Sequence, residues 1–258
     1  MTLRLMCVLA HPDDESLGTG GTLAKYAAEG VETYLVTATR GERGRFGDGG
    51  ERPSAEIVGA TREAELRAAA GELGVREVAV LGHPDGALDS VDPAAVQEEI
   101  AAHVRRIRPQ VVVTFGPEGA YGHPDHIAIS QFTSAALVRA AGGGFAVSKL
   151  YQIAWSAPTW AAYQAALKKL TSTVDGIERA VVPSPEWNTT ARIDTSAVWP
   201  TVWRAVQCHR TQMSIYKNLE RLPEEHHRSL WGVQEFYRAF SVVNGGRARE
   251  TDLFEGLR

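Results

Sequence analysis

Short apolar runs alternate with longer amphipathic segments over residues 3–140. The runs 3–9, 31–38 and 111–115 are largely apolar on both faces, which is typical of strands buried inside a parallel sheet. Apolar residues at helical spacing appear between such runs, for example over residues 92–107. Strands that alternate with helices in this way predict right-handed βαβ units. The pattern therefore predicts an α/β fold with a mostly parallel sheet.

The regular alternation fades after the three glycines at 142–144. All six Trp residues lie after residue 154, so we expect this part to cover one end of the sheet and to shape a pocket. We predict a single domain over residues 1–258. Its core spans about 1–142, and a C-terminal α+β cap spans about 145–258.

A histidine and three carboxylates follow the first predicted strand: His11, Asp13, Asp14 and Glu15, with Pro12 among them. In open α/β sheets ligands bind beyond the carboxyl ends of strands, so this cluster lies where chemistry is expected. Neighbouring carboxylates repel one another, and a bound cation removes the repulsion. We predict that His11 and Asp14 converge on one point while Asp13 takes another direction.

A second polar segment, Tyr-Gly-His-Pro-Asp-His at 121–126, follows the run 111–115. Pro124 suits the first position of a helix capped by His123, and His126 then lies one turn further on the same face. Two histidines and one carboxylate form the ligand set of an open catalytic metal site. We predict His11, Asp14 and His126 as ligands of Zn²⁺, although this set also accepts Fe²⁺ or another divalent ion. Asp13 and His123 remain beside the metal as acid–base groups.

The motifs Ala-His-Pro-Asp-Asp-Glu and Gly-His-Pro-Asp-His, in this order and each after a predicted strand, resemble the paired signature of the LmbE/PIG-L family of metal-dependent N-deacetylases. The resemblance extends over about 3–140, with a weaker match near His209. It implies a Rossmann-like three-layer fold and hydrolysis of an acetamide, typically on an N-acetylglucosamine-type sugar. By position it also implies His11, Asp14 and His126 as metal ligands. Asp13 would be the general base, and His123 the group that stabilises charge or protonates the leaving amine.

The resemblance also implies substrate contacts by Arg62 and Asp85. Arg62 lies at the start of a helix predicted over 61–73, and Asp85 lies in a Pro-Asp-Gly sequence, a strong turn former. We favour a turn with a substrate contact by Asp85 over metal binding by His83. Tyr121 is a candidate donor to the oxyanion of the reaction. A rim or core aromatic is the alternative for Tyr121, and both interpretations stay open.

Three other segments allow two interpretations each. Residues 40–60 lack periodicity and favour a lid or substrate-contact loop, or else a solvated excursion. The glycine-rich stretch before a helix predicted over 22–29 favours close helix packing rather than a dinucleotide loop. His209 lies in the weaker family match, but a packing or hydrogen-bonding role is the simpler interpretation. His226 and His227, in a charged run, are predicted to be solvated.

Composition restricts the classes of protein to which this chain can belong. Hydrophobic residues make up 44% and charged residues 22%, as in ordinary soluble proteins, and a net charge of −4 offers no case for nucleic acid. No apolar stretch reaches the length of a membrane span, and no signal peptide is recognisable. The two cysteines indicate a reducing compartment. We expect a cytoplasmic protein that binds a small amino-sugar substrate, and a homo-oligomer is compatible with these features.

The leading hypothesis is a zinc-dependent N-deacetylase of an N-acetylglucosamine-type amino sugar or its conjugate. An amidase that cleaves a related thiol-conjugate amide is an alternative, since the same machinery would serve. A non-catalytic sugar-binding module is a second alternative, because a fold does not fix a function.

Overall fold

The computed structural model describes residues 2–47, 51–167, 171–174, 176–180, 183–243 and 248–258. Its strands are β1 Arg4–Leu9, β2 Glu32–Thr39, β3 Glu77–His83, β4 Val111–Thr114, β5 Lys149–Ala154, β6 Thr171–Val174, β7 Ile177–Ala180, β8 Ala191–Asp194 and β9 Val233–Ser241. Seven of them form one sheet in the order β3-β2-β1-β4-β5-β9-β8, and β6 pairs with β7 as a separate hairpin.

The helices are α1 Asp14–Ala28, α2 Ala55–Glu72, α3 Pro93–Ile107, α4 Gly119–Gly122, α5 Pro124–Gly142, α6 Ala157–Leu167, α7 Trp199–Cys208, α8 Met213–Glu220 and α9 Glu224–Trp231. α3 packs on α5, whereas α1 and α2 pack on α7. These two groups cover the two faces of the sheet, so the predicted three-layer α/β fold is confirmed. Within the described residues, no helix has both the length and the apolar character needed to cross a membrane.

β1 lies at the centre of the sheet because its apolar residues can be buried on both faces. Residues 5–10 are completely buried. β1 pairs in parallel with β2 on one side and with β4 on the other, and β2 in turn pairs with β3. Along the chain, β2 and β3 are thus added on one side of β1, and β4 and β5 are then added on its other side. Ligands of such sheets bind at this reversal of strand order, which here lies between the ends of β1 and β4.

The strands after residue 145 extend the same sheet. β5 pairs in parallel with β4, and β9 and β8 complete the edge as antiparallel strands. Lys149 on β5 is completely buried and forms an ion pair with Glu250 at 2.7 Å. Tyr151 donates its hydroxyl hydrogen to the same carboxylate at 2.5 Å. The C-terminal part therefore contributes both sheet and covering helices, and the division into core and cap stays a prediction.

α1 begins at Asp14, immediately after the polar turn, and not near residue 22 as predicted. The glycines thus lie inside the helix. A Cβ atom on Gly21 would lie 2.8 Å from Thr195, and one on Gly20 would lie 3.1 Å from Val202 of α7. The glycines allow close packing, as predicted, but the nearest side chains to Gly20 and Gly21 are Val202 and Thr195 of the C-terminal part rather than residues of the central sheet.

α2 also begins earlier than predicted, at Ala55, because the hydroxyl of Ser54 caps it by accepting the N–H of Ile57. The irregular segment is therefore shorter than residues 40–60, and residues 48–50 lie outside the described part. Arg43 and Arg45 of this segment line the main cavity. That position fits the predicted contact with substrate, while movement as a lid stays a prediction.

A second apolar cluster, rich in aromatic residues, packs beside the main core. Its buried members include Trp160, Tyr163, Tyr216 and Trp231. His227 belongs with them: it is 6% exposed and hydrogen-bonds the carbonyl of Leu219 at 2.7 Å. The prediction that His227 is solvated was wrong, because one face of a charged helix points inward.

Candidate active site

The chain turns sharply between β1 and α1, and the turn carries His11, Asp13 and Asp14. Asp13 has a φ of 102°, a conformation that L-residues rarely adopt and that costs about 1–3 kcal/mol. The Asp14 carboxylate accepts the backbone N–H groups of Ala10 at 3.2 Å and His11 at 2.8 Å. Asp14 is thereby held toward the strand end, while the side chain of Asp13 points elsewhere.

Unusual backbone angles also precede His123 at the end of β4. Three residues within 119–122 have a positive φ, and Ala120 combines a φ of 59° with a ψ of −94°. α5 then begins at Pro124 with His123 as its N-cap, as predicted. The Nδ1 atom of His123 accepts the backbone N–H of Asp125 at 3.2 Å, which leaves Nε2 to face the cavity.

The structure brings His11, Asp14 and His126 together. Nδ1 of His11 lies 3.2 Å from Nε2 of His126. Oδ1 of Asp14 lies 3.4 Å from that His126 nitrogen, and Oδ2 of Asp14 lies 3.6 Å from that His11 nitrogen. Zinc–nitrogen bonds of about 2.0–2.1 Å in tetrahedral geometry separate neighbouring ligand atoms by about 3.3–3.4 Å. The three side chains therefore fit a single divalent ion.

His123 lies beside this group. One nitrogen each of His11, His123 and His126 falls within 4.8 Å of the others. The rings of His123 and His126 are stacked, with centroids 4.7 Å apart. Burial, together with the nearby His11 and His126, lowers the pKa of His123 to about 4, so its imidazole is neutral near pH 7. His11, His123 and His126 thus also form a candidate ligand group, and the choice of Asp14 over His123 as the third ligand stays a prediction.

Asp125 fixes the orientation of His11. Its Oδ2 atom lies 3.0 Å from Nε2 of His11 and accepts the N–H of Gly86, while Oδ1 accepts the N–H of Leu88. A carboxylate on one imidazole nitrogen leaves the other as the metal-binding atom. Burial opposes protonation of His11, but hydrogen bonds to Asp125, Asp14 and Asp85 raise its pKa well above its usual range.

Asp13 faces a different set of partners. Its Oδ2 atom accepts hydrogen bonds from Nη2 of Arg62 at 3.1 Å and from the hydroxyl of Tyr216 at 2.9 Å. Burial and the nearby Asp14 carboxylate raise the pKa of Asp13, and Arg62 partly opposes them. Both contacts reach the same oxygen, so Oδ1 is the less occupied side of the carboxylate.

Arg62 is buried among backbone acceptors. Its guanidinium donates to the carbonyls of Pro12 at 2.5 Å and Gly41 at 2.7 Å as well as to Asp13. Nε of Arg62 is buried without a hydrogen-bond partner among the described residues. The predicted substrate contact is compatible with this position, but the observed contacts hold Asp13 and the loop before α2.

Asp85 lies at the site, and His83 does not. Oδ1 of Asp85 lies 3.2 Å from Nε2 of His11, and its Oδ2 accepts the N–H of Arg43. Burial raises the pKa of Asp85, but the interaction with His11 outweighs it and brings the value to about 2. His83 instead pairs with Glu99 at 2.9 Å, in line with our preference for Asp85.

Tyr121 packs its ring edge-on against His123 and His126, with centroids 5.8 and 5.5 Å away. Burial and the carboxylates of Asp14 and Asp13 raise the pKa of Tyr121. The phenol therefore keeps its proton and remains a hydrogen-bond donor at neutral pH.

A cavity of about 450 Å³ lies over these side chains. Its floor includes all eight residues predicted from the sequence: His11, Asp13, Asp14, Arg62, Asp85, Tyr121, His123 and His126. The wall supplied by the later part of the chain is mostly apolar, with Trp155, Trp160, Tyr163 and Ile215. The floor thus carries the charged and titratable groups, and the wall carries the aromatic ones.

Sequence reasoning missed Asp125 and Tyr216. Asp125 lies inside the second motif, and the carboxylate–histidine pairing typical of metal sites was a usable signal. Tyr216 lies in a helix without a motif. Because its contact with Asp13 spans 203 residues, no local signal pointed to it.

Comparisons with known proteins agree with this geometry. The PIG-L family, described as GlcNAc-PI de-N-acetylase, matches residues 6–137. The 1D-myo-inositol 2-acetamido-2-deoxy-alpha-D-glucopyranoside deacetylase of Kineococcus radiotolerans is 36% identical over 98% of this chain and 83% of its own length. The enzyme of the same name from Mycobacteroides abscessus is 37% identical over 99% of both chains.

Solved structures show the same fold. The conserved protein TT1542 from Thermus thermophilus superimposes with a TM-score of 0.67 at 28% identity, covering 94% of this chain and 97% of its own. N,N'-diacetylchitobiose deacetylase from Pyrococcus horikoshii superimposes with a TM-score of 0.66 at 19% identity, covering 91% and 83%. At 19% identity, the comparison with the Pyrococcus horikoshii enzyme supports a shared fold alone. With the paired motifs, the family match and relatives aligned along nearly the whole chain, this protein belongs to the PIG-L family of de-N-acetylases.

Proposed function

We propose that the protein is a metal-dependent hydrolase that removes the acetyl group from the amide nitrogen of an N-acetylglucosamine-type conjugate. The observation that carries the proposal is the arrangement on the cavity floor. His11, Asp14 and His126 converge at ligand spacing, while Asp13 lies beside them, held through one carboxylate oxygen.

His11, Asp14 and His126 would hold the ion, with Asp125 orienting His11. We propose Zn²⁺, which suits two imidazoles and one carboxylate, with Fe²⁺ as the alternative. When bound, such an ion acts as a Lewis acid that polarises the amide carbonyl and makes a nearby water more acidic.

Asp13 acts as the general base. Arg62 and Tyr216 hold its Oδ2 atom, so Oδ1 takes the proton of the water that attacks the acetyl carbon. A carboxylate that reacts in a largely buried place is poorly hydrated, and its raised pKa makes it a better proton acceptor.

Tyr121 and His123 act on the charges that develop after the water has attacked the acetyl carbon. The phenol of Tyr121 keeps its proton and donates a hydrogen bond to the oxyanion of the tetrahedral intermediate. His123 is a neutral imidazole whose Nδ1 accepts a backbone N–H, so its Nε2–H donates a hydrogen bond to the negative charge that develops on the acetyl group. The protonated Asp13 then delivers to the leaving amine the proton that it took from water, which balances the cycle.

The substrate is an α-linked 2-acetamido sugar joined to a small polyol, the class named for the relatives at 36% and 37% identity. Asp85 and Arg62 lie on the cavity floor, where they can meet sugar hydroxyls. We further propose that the protein acts in the cytoplasm and without nucleic acid. Its net charge of −4 and its two unpaired cysteines support this part.

Release of acetate from N-acetylglucosaminyl-inositol and N-acetylglucosamine, and of free amine from these compounds and from a thiol-conjugate amide, tests the proposal, with the protein reconstituted with Zn²⁺ or Fe²⁺. We expect acetate and amine from the first compound. Free amine from the thiol conjugate alone would reassign the substrate class. Binding of the sugar without cleavage of any compound would make the protein a binding module.

A further inference from the structure

Glu15 is a buried carboxylate next to the proposed metal ligands that the proposed chemistry does not use. It is completely buried, and so is His209, whose Nε2 lies 2.7 Å from Oε1 of Glu15. The hydroxyl of Ser16 donates to the same oxygen at 2.6 Å. The other oxygen, Oε2, accepts the backbone N–H of Asp13 at 3.0 Å.

The bond to the Asp13 N–H acts on a strained part of the backbone in the site. Asp13 has a φ of 102°, and this angle determines where its side chain leaves the backbone. Turning the peptide toward an ordinary φ would break the Asp13–Glu15 bond. It would also move the carboxylate away from Arg62 and Tyr216.

His209 comes from a segment that is itself anchored. Thr211, two residues further along the chain, donates its N–H and its hydroxyl to the carboxylate of Glu65 at 2.8 and 2.7 Å. Nδ1 of His209 has no hydrogen-bond partner within the described residues, so the polar contacts of the ring are with Glu15 and Ser16. The ring thus links the C-terminal part of the chain to the turn after β1.

We propose that Glu15 and His209 form a buried pair that positions Asp13 for proton transfer, with His209 as a positioning residue that acts through Glu15. The inference rests on the proposed role of Asp13 as the base. Its contribution is geometric: it holds the peptide of Asp13 in the conformation from which Oδ1 faces the reacting water.

The test is a double-mutant cycle between His209→Ala and Asp13→Asn in the metal-loaded protein. In the native background, His209→Ala should lower kcat about 10–100-fold, as loss of a supporting contact typically does, with KM and metal content unchanged. In the Asp13→Asn background the same substitution should cost less than about twofold, because the pair then has no base to position. His209→Gln, which keeps a donor for Glu15, should recover most of kcat.

Tyr26→Phe is the matched control, since it removes, from a buried residue at the far end of the same helix α1, a hydroxyl that bonds Asp252 at 2.8 Å, without touching Glu15. Its kcat should stay within about twofold of the native value. If His209→Ala does not fold, Ser16→Ala replaces it in the cycle, because it removes another bond to the same Glu15 oxygen. Equal losses in the native and Asp13→Asn backgrounds, or a normal kcat in His209→Ala, would overturn the inference. A normal kcat in Asp13→Asn alone would overturn the proposed function instead.

Discussion

The floor and the wall of the cavity come from different parts of the chain and are built differently. The floor comes from residues 11–126 and carries the histidines and carboxylates of the site, most of them buried and hydrogen-bonded. The wall comes from residues 155–216 and is mostly aromatic or aliphatic. Charged groups fixed by directional bonds suit a reaction, whereas flat apolar surfaces suit the selection of a substrate. The contrast predicts that floor variants lose turnover and wall variants change substrate preference.

The largest effect should come from the metal ligands. Replacing His11 with Ala should reduce the bound divalent ion from one per chain to a trace and abolish acetate release, since the remaining groups are too few to hold it. Asp14→Ala and His126→Ala should behave alike, with activity partly restored by excess metal. Elemental analysis of freshly purified protein measures this, and an unchanged metal content in His11→Ala would remove His11 from the ligand set.

Asp13→Asn should lower kcat about 10²–10⁴-fold with metal content unchanged, because the amide keeps the shape of the carboxylate but cannot accept a proton. His123→Ala should likewise reduce kcat and spare the metal. The measurement is kcat together with metal affinity, using Asp14→Ala as the contrasting variant. Loss of metal in Asp13→Asn as severe as in Asp14→Ala would mean that Asp13 is a ligand.

Asp125→Asn should cost about 10–100-fold in metal affinity or turnover, since this carboxylate holds the His11 ring in its binding orientation. The affinity is measured by competition with a chelator. Glu99→Gln, which breaks the surface pair with His83, is a control that should leave affinity unchanged. Equal affinities of Asp125→Asn and the native protein would show that His11 needs no partner.

The smallest effect should come from the wall. Trp155→Leu should raise KM several-fold for the inositol conjugate and leave kcat near its native value, because contacts made equally in ground and transition states change binding only. The same variant assayed on free N-acetylglucosamine should change little if the indole contacts the group beyond the sugar. A fall in kcat with constant KM would mean that Trp155 contributes to turnover, which would contradict the assignment of the wall to substrate preference.

The floor was predictable because its residues are close in sequence. His11 and Asp14 share one turn, His123 and His126 share another, and two apolar strands place both turns at the same edge of the sheet. Short-range patterns also gave the cap at His123. The start of α2 was missed, although Ser54 before Ala55 is an ordinary capping signal, because the glycines before it suggested a longer loop.

The wall and the supports of the floor were not predictable in the same way. Tyr216 and His209 reach the turn after β1 across 203 and 194 residues, and no local pattern specifies such a contact. Trp155 appeared only as one of several late tryptophans. These positions depend on how β5, β9 and the last helices pack, which side-chain periodicity does not determine.

The ion pair between Lys149 and Glu250 has a consequence for the synthesis of the chain. Its partners are 101 residues apart, and both are completely or almost completely buried. Breaking such a pair by removing one partner typically costs about 3–5 kcal/mol. While a ribosome is still making the residues before 250, β5 cannot be buried in its final form, because the counter-charge of its lysine has not yet emerged. The edge of β5 can pair with β9 once β9 has emerged, but the buried lysine on β5 obtains its counter-charge only after the segment around Glu250 has left the ribosome.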